Sequence, residues 1–309
     1  MSAPRRVAVG SRTSPLSLAQ TEEILEPLRK LHRSVSFDVV PITTGGDRNK
    51  SAPLLSMARG MFVKEIEAAL LTREIDFAVH SAKDVPALLP DGLVLAAFGP
   101  RQDPRDVVIN RWSAPFTELP AGARIGTSSP RRISQLKALR PDVELLPVRG
   151  NVGTRVEKAS GDDFDGVVLA AAGLLRLGLQ DRISEYLSPD VCTPDAGQGA
   201  LAVEARASDT HILDMLGTID HAPTSVTVTA ERAFVEAIGG GCQVPAAAYA
   251  TLDEDELRIS AMAAVPDGSR VFRVHTVGDA RDPMAAGRAA AEALMKTEAS
   301  EIIARGASA

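Results

Sequence analysis

The chain has 309 residues, a formal net charge of −6 and pI ≈ 5.5, with 45% hydrophobic and 24% charged residues. That length accommodates two or three compact domains of roughly 100–200 residues each, and the acidic balance argues against a general nucleic-acid binder, which needs a basic face. Two cysteines cannot build a disulfide framework; the N-terminus lacks a secretory apolar stretch and no apolar run approaches the ~20 residues that span a bilayer, so a soluble cytoplasmic protein is expected.

In chain order, "RVAVG" reads as a strand, and "PLSLAQTEEILEPLRKL" as a helix with Leu16, Ala19, Gln20, Glu23 and Ile24 at helical spacing. "SFDVVPI" is a second strand. The stretch Thr43–Gly60 is long, weakly periodic and broken by Gly and Pro, which predicts a lid or binding loop. "MFVKEIEAALLTREI" resumes as helix and "DFAVHS" as strand.

A second set starts near Asp106: "DVVIN" and "ARIGTSS" as strands, and "PRRISQLKALR" as a helix with Pro130 in its first turn, where a missing N–H costs nothing. "VELLPVRGN" follows as strand, "VGTRVEKAS" as helix, and "FDGVVLAAAGLLRLGL" as strand into helix. Such alternation predicts parallel sheets with ligands at the carboxyl ends of the strands. After about His221 the pattern changes to a helix, alternating strands and an Ala-rich helix, a small α+β domain with an antiparallel sheet.

The arginines cluster where strands give way to helices. Arg12 and Ser14 lie in "SRTSPLSLAQ", Arg131 and Arg132 in "GTSSPRR", Arg149 and Arg155 in "RGNVGTR", and Arg176 follows "LAAAGLL". Helix N-termini favour anions, and the guanidinium fork suits carboxylates, so a small polyanionic ligand is expected. The strand "FAVH" delivers Ser81, Lys83 and Asp84 to its carboxyl end, where a catalytic carboxylate is plausible. Cys242 sits in "GGGCQVP", beside three glycines, which predicts an accessible thiol poised for chemistry. The histidines have no ligand spacing, so no metal is expected, and His80 reads as packed. On these residues alone a non-enzymatic anion-binding module and a thiol hydrolase both stay open.

"SRTSPLSLAQ", "VHSAKDVP", "DPRD", "GTSSPRR", "RGNVGTR", "LAAAGLLRLGL", "AGQGAL", "ERAF" and "GGGCQVP" occur in one order between Arg12 and Pro245. In this the chain resembles the porphobilinogen deaminase (hydroxymethylbilane synthase) family. The resemblance implies two periplasmic-binding-protein-like α/β domains plus a small C-terminal α+β domain: residues 1–103 with 199–219, then 104–198, then 220–309. It implies condensation of four porphobilinogen molecules, with loss of ammonia, into the linear tetrapyrrole hydroxymethylbilane.

The same resemblance implies a dipyrromethane cofactor on Cys242 through a thioether, and Asp84 as the catalytic carboxylate. Lys83, Asp84, Thr127, Ser129, Arg131 and Arg132 would hold the cofactor. Arg12, Ser14, Gln20, Ser81, Arg149, Arg155 and Arg176 would hold substrate. Porphobilinogen is the expected small-molecule partner of a monomer that engages neither nucleic acid nor membrane. Leu55 and Arg59 stand where the family often carries lysines. Cys192 has no family role and reads as core.

Overall fold

The computed structural model describes residues 5–45, 63–239 and 245–307. Most of the expected lid over Thr43–Gly60, including Leu55 and Arg59, and the cysteine segment with Cys242 lie outside the described residues. The chain divides into two compact units, residues 1–101 with 200–225, and residues 102–199 with 226–309.

In the first unit β1 (Arg5–Ser11), β2 (Val35–Pro41), β3 (Phe77–Ser81), β4 (Leu93–Phe98) and β10 (Leu201–Arg206) form one sheet in the order β2-β1-β3-β10-β4. The first three run parallel, and β10 is antiparallel to both β3 and β4. Helix α1 (Pro15–Leu31) starts at Ser14, whose Oγ accepts from Ser17 N, with Pro15 in its first turn. Its buried face is Gln20, Thr21, Ile24, Leu25 and Leu28. Only Gln20 and Ile24 belong to the expected stripe; Glu23 is exposed. Burying each of Ile24, Leu25 and Leu28 against Val7, Val9 and Phe77 contributes about 1.5–3 kcal/mol. Helix α2 (Lys64–Leu71) covers another part of the sheet with Ile66 and Leu70. His80 is packed as expected, its Nε2 lying 3.0 Å from Glu204 on the neighbouring strand.

The second unit repeats the plan. β5 (Asp106–Asn110), β6 (Arg124–Gly126), β7 (Glu144–Leu146), β8 (Gly166–Ala170) and β9 (Glu185–Tyr186) stand in the order β7-β6-β8-β5-β9. Again three strands are parallel and the fourth in the row is antiparallel to its neighbours. The expectation of parallel sheets is therefore corrected: both are mixed, the first because β10 enters from a distant segment and the second because its first strand, β5, runs against β8, orientations that local periodicity does not reveal. Helices α3 (Pro130–Leu139), α4 (Val152–Lys158) and α5 (Ala171–Arg176) follow β6, β7 and β8.

Beyond α6 (Thr210–Gly217) of the first unit comes α7 (Ala222–Ala237), which belongs to the second unit from Val226 on. β11 (Ala246–Asp253), β12 (Glu256–Ala264) and β13 (Val271–Asp279) then form an antiparallel sheet, followed by α8 (Pro283–Met295) and α9 (Ala299–Ala307). Two five-stranded α/β sheets and a C-terminal antiparallel sheet are in line with the α/β fold class expected. No described helix is long and apolar enough to cross a membrane.

Candidate active site

In each unit the expected site residues follow the carboxyl ends of the parallel strands, the edge at which open α/β sheets bind ligands. Arg12 and Ser14 follow β1; Lys83 and Asp84 lie in a 3-10 turn, Ala82–Asp84, directly after β3. That turn is pinned by Ala82 N donating to Ala200 O at 3.0 Å. Gln20, buried in α1, donates from Nε2 to Ser81 Oγ at 2.8 Å, tying the helix after β1 to the end of β3. Asp84 is half-buried, and among the described residues its carboxylate has neither hydrogen bond nor ion pair. It is therefore not consumed as the partner of Lys83.

The second unit holds the denser site. Thr127 follows β6 and accepts from Ser129 N at 3.4 Å; Ser129 caps α3 by accepting from Arg132 N. An accepting hydroxyl retains its own proton to donate outward. Ser128 bonds Val148 in both senses, at 2.8 and 3.0 Å, and so anchors the backbone just before Arg149. Gly150 has φ +118, and a Cβ there would sit 2.8 Å from Thr154 Cγ2, so only glycine lets the chain turn sharply after Arg149. Asn151 caps α4 by accepting from Thr154 N, and Arg155 Nε donates to Gly150 O at 2.8 Å. Arg176, the last residue of α5, donates to Gly199 O at 3.0 Å. Arg149, Arg155 and Arg176 are all half-buried.

Arg131 and Arg132 have a setting that the sequence did not announce. Both are buried, and both converge on Asp106, the first residue of β5 and fully buried. Arg131 Nη1 donates to Asp106 Oδ2 at 2.6 Å; Arg132 donates to Oδ1 from Nε at 3.0 Å and Nη2 at 2.7 Å. Gln198 Nε2 and the Cys192 thiol complete the cluster at 2.9 and 3.2 Å. Burial alone would raise the Asp106 carboxyl, but the two guanidiniums outweigh it and hold the group well below the usual carboxylate range. Burial, then the Asp106 charge, pushes the Cys192 thiol up to about 12.

Among the described residues no group of His, Cys, Asp and Glu could hold a metal ion. The fit to an anionic ligand rests on a different feature. Arg131 Nε–H is buried and finds no acceptor among the described residues, a donor that a ligand carboxylate would satisfy. Sequence reasoning missed Asp106 as the hub. A charged residue opening the otherwise apolar run "DVVIN" was the available signal.

Comparison with known proteins gives the family. Residues 7–214 match the model of the porphobilinogen deaminase dipyromethane cofactor binding domain, and residues 225–296 that of the porphobilinogen deaminase C-terminal domain. The chain is 46% identical over 302 residues to the porphobilinogen deaminase of Halalkalibacterium halodurans, covering 97% of this chain and 96% of the relative. Those of Carboxydothermus hydrogenoformans and Syntrophotalea carbinolica are 45% and 47% identical, covering 97% and 96% of this chain and 96% and 94% of theirs. A nutrient-binding protein from Burkholderia cenocepacia overlaps at TM-score 0.42 and 14% identity, over 68% of this chain and 89% of its own. That likeness is too distant to bear on function. Two family models that between them span both units, and near-full-length relatives well above 40% identity, leave one conclusion: the chain belongs to the porphobilinogen deaminase family.

Proposed function

We propose that this enzyme joins four porphobilinogen molecules head to tail into hydroxymethylbilane, releasing ammonia at each addition, in tetrapyrrole biosynthesis. The observation that carries the residue-level reading is the set of strand-end residues in each unit, rich in arginine in the second and presenting in the first an Asp84 without an ion-pair partner among the described residues. When bound, the dipyrromethane supplies the primer to which substrate units add. Cys242 is its attachment point in this reading. Lys83, Thr127, Ser129, Arg131 and Arg132 take its carboxylates, with the Arg131 Nε–H, which has no acceptor among the described residues, as the most specific donor.

Arg12, Ser14, Gln20, Ser81, Arg149, Arg155 and Arg176 orient the acetate and propionate groups of substrate through charge-assisted hydrogen bonds. Loss of ammonia leaves porphobilinogen as a cationic azafulvene. The Asp84 carboxylate stabilises that cation through the pyrrole nitrogen and accepts or returns protons there. The Gln20–Ser81 bond steadies the strand end that carries the turn of Asp84. A monomer working in the cytoplasm, without nucleic acid or membrane, completes the reading.

Intact mass and peptide mapping test it. The purified protein should exceed its sequence mass by two pyrrole units, stain with Ehrlich's reagent, and carry the addition on residues 239–245. An active but unmodified protein, or an adduct on Cys192, overturns the assignment.

A further inference from the structure

The C-terminal sheet touches α3, the helix that opens with Arg131 and Arg132, at two points. In the turn between β12 and β13, Gly268 has φ +77, and a Cβ there would lie 2.6 Å from Ser134 O and 2.9 Å from Ala138 N. Only glycine allows so close an approach. Further on, Arg273 of β13 donates from Nη1 and Nη2 to Gln135 Oε1, at 3.2 and 3.1 Å, and from Nη2 to Val191 O at 3.0 Å.

Gln135 is 2% exposed and relays this contact. Its Oε1 also accepts from Thr193 N at 2.9 Å, while its Nε2 donates to Arg131 O at 3.1 Å and Thr193 O at 3.4 Å. The Thr193 carbonyl in turn accepts from Arg131 Nη1 at 2.6 Å. The two ends of a glutamine amide have nearly the same shape, so hydrogen bonds decide which end points where. A guanidinium only donates. Arg273 and the Thr193 N–H, both donors, together require the amide oxygen to face them, which turns the NH2 group towards Arg131 O and Thr193 O.

We propose that Arg273 is a positioning residue for Arg131. Together with the Thr193 N–H it holds the Gln135 amide in the orientation that fixes the Thr193 carbonyl, which steers the Arg131 guanidinium. Residues that lock a binding side chain into place govern how well it binds. The same end of the sheet holds Pro245, whose carbonyl accepts from Ala264 N at 2.9 Å. The backbone leaving the cysteine segment and the tether to α3 are thus parts of one sheet end. This inference rests on the reading of Arg131 as a cofactor ligand.

The test compares wild type, Arg273→Met, Arg273→Lys and Arg131→Leu, each prepared cofactor-free and then given porphobilinogen. Cofactor loading is followed by intact mass over time, and thermal unfolding of each protein is recorded alongside. Arg273→Met should load at least about tenfold more slowly, the factor expected when one hydrogen bond to a charged group is lost. Its unfolding midpoint should stay near wild type, and Arg273→Lys should recover part of the rate. Loading of Arg273→Met at the wild-type rate, with or without a lowered midpoint, overturns the proposal. Should Arg273→Met fail to fold, Arg273→Lys decides: slowed loading supports the proposal and wild-type loading overturns it. Arg131→Leu separates the two levels. If it loads normally, the ligand role of Arg131 fails; if it loads slowly while both Arg273 variants load normally, only the positioning role fails.

Discussion

The Cys192 thiol donates to Asp106 Oδ2 at 3.2 Å, inside the same buried cluster that gathers Arg131 and Arg132. With no exposure and a pKa pushed up to about 12, this thiol stays protonated under all ordinary conditions. Native protein treated with iodoacetamide at neutral pH should remain unmodified at Cys192, and full labelling there should require denaturant. The folded pKa lies above the reference value of 9.0, so the group's contribution to stability is complete below that value and is lost as pH rises towards 12. A Cys192→Ala variant should therefore lose less stability than wild type between those pH values, measured by urea unfolding.

Replacing Asp106 should be severe. Asp106→Ala leaves two buried guanidiniums without their shared carboxylate, and breaking such a pair costs about 3–5 kcal/mol. Urea unfolding measures it. The carboxyl of Asp106 is held below its reference value of 3.8, so its stabilisation is complete above that pH and fades as pH falls below it. The difference between wild type and Asp106→Ala should shrink in acid.

Arg149→Leu and Arg155→Leu should spare the fold and impair cofactor assembly or elongation. Each removes a charge-assisted contact worth roughly 1.5–3 kcal/mol. Steady-state kinetics and the mass distribution of enzyme intermediates check this. Normal turnover in either variant removes that residue from the proposed carboxylate-binding set.

Asp84→Asn keeps size and an acceptor but removes the charge. Turnover should fall by at least ~10²–10³, the effect of losing one preorganised stabilising group. Asp84→Glu keeps the charge and displaces it, so measurable activity should remain. Cofactor should still be present in both by intact mass when they are supplied with preformed tetrapyrrole. Equal activity of the Asn and Glu variants would exclude an electrostatic role.

Local chemistry made part of this legible in the sequence. Ser14 and Pro130 mark helix starts through capping and ring geometry, and both helices begin there. "FAVHS" reads as a strand, and the turn bearing Asp84 follows it. What stayed hidden depends on partners far along the chain. Nothing near residue 201 says that β10 runs antiparallel between β3 and β4. The stretch "AAAYATLD", now β11, lacks the β-branched alternation that marks a strand. Asp106 reads only as the first residue of the strand "DVVIN" until Arg131, Arg132 and Gln198 are brought to it from 25, 26 and 92 residues away.

The placement of β10 has a consequence for synthesis on the ribosome. The first sheet has β10 as an interior strand, yet β10 is made only after the whole of the second five-stranded sheet has emerged. Until Leu201–Arg206 is available, β3 and β4 each lack a neighbour, and the sheet cannot close. The second sheet needs nothing beyond Tyr186 for its strands. Nascent chains should therefore order the second sheet first, with the N-terminal segment waiting, a reversal of the usual vectorial sequence. Chains arrested before Leu201 would expose unpaired strand edges to chaperones and proteases.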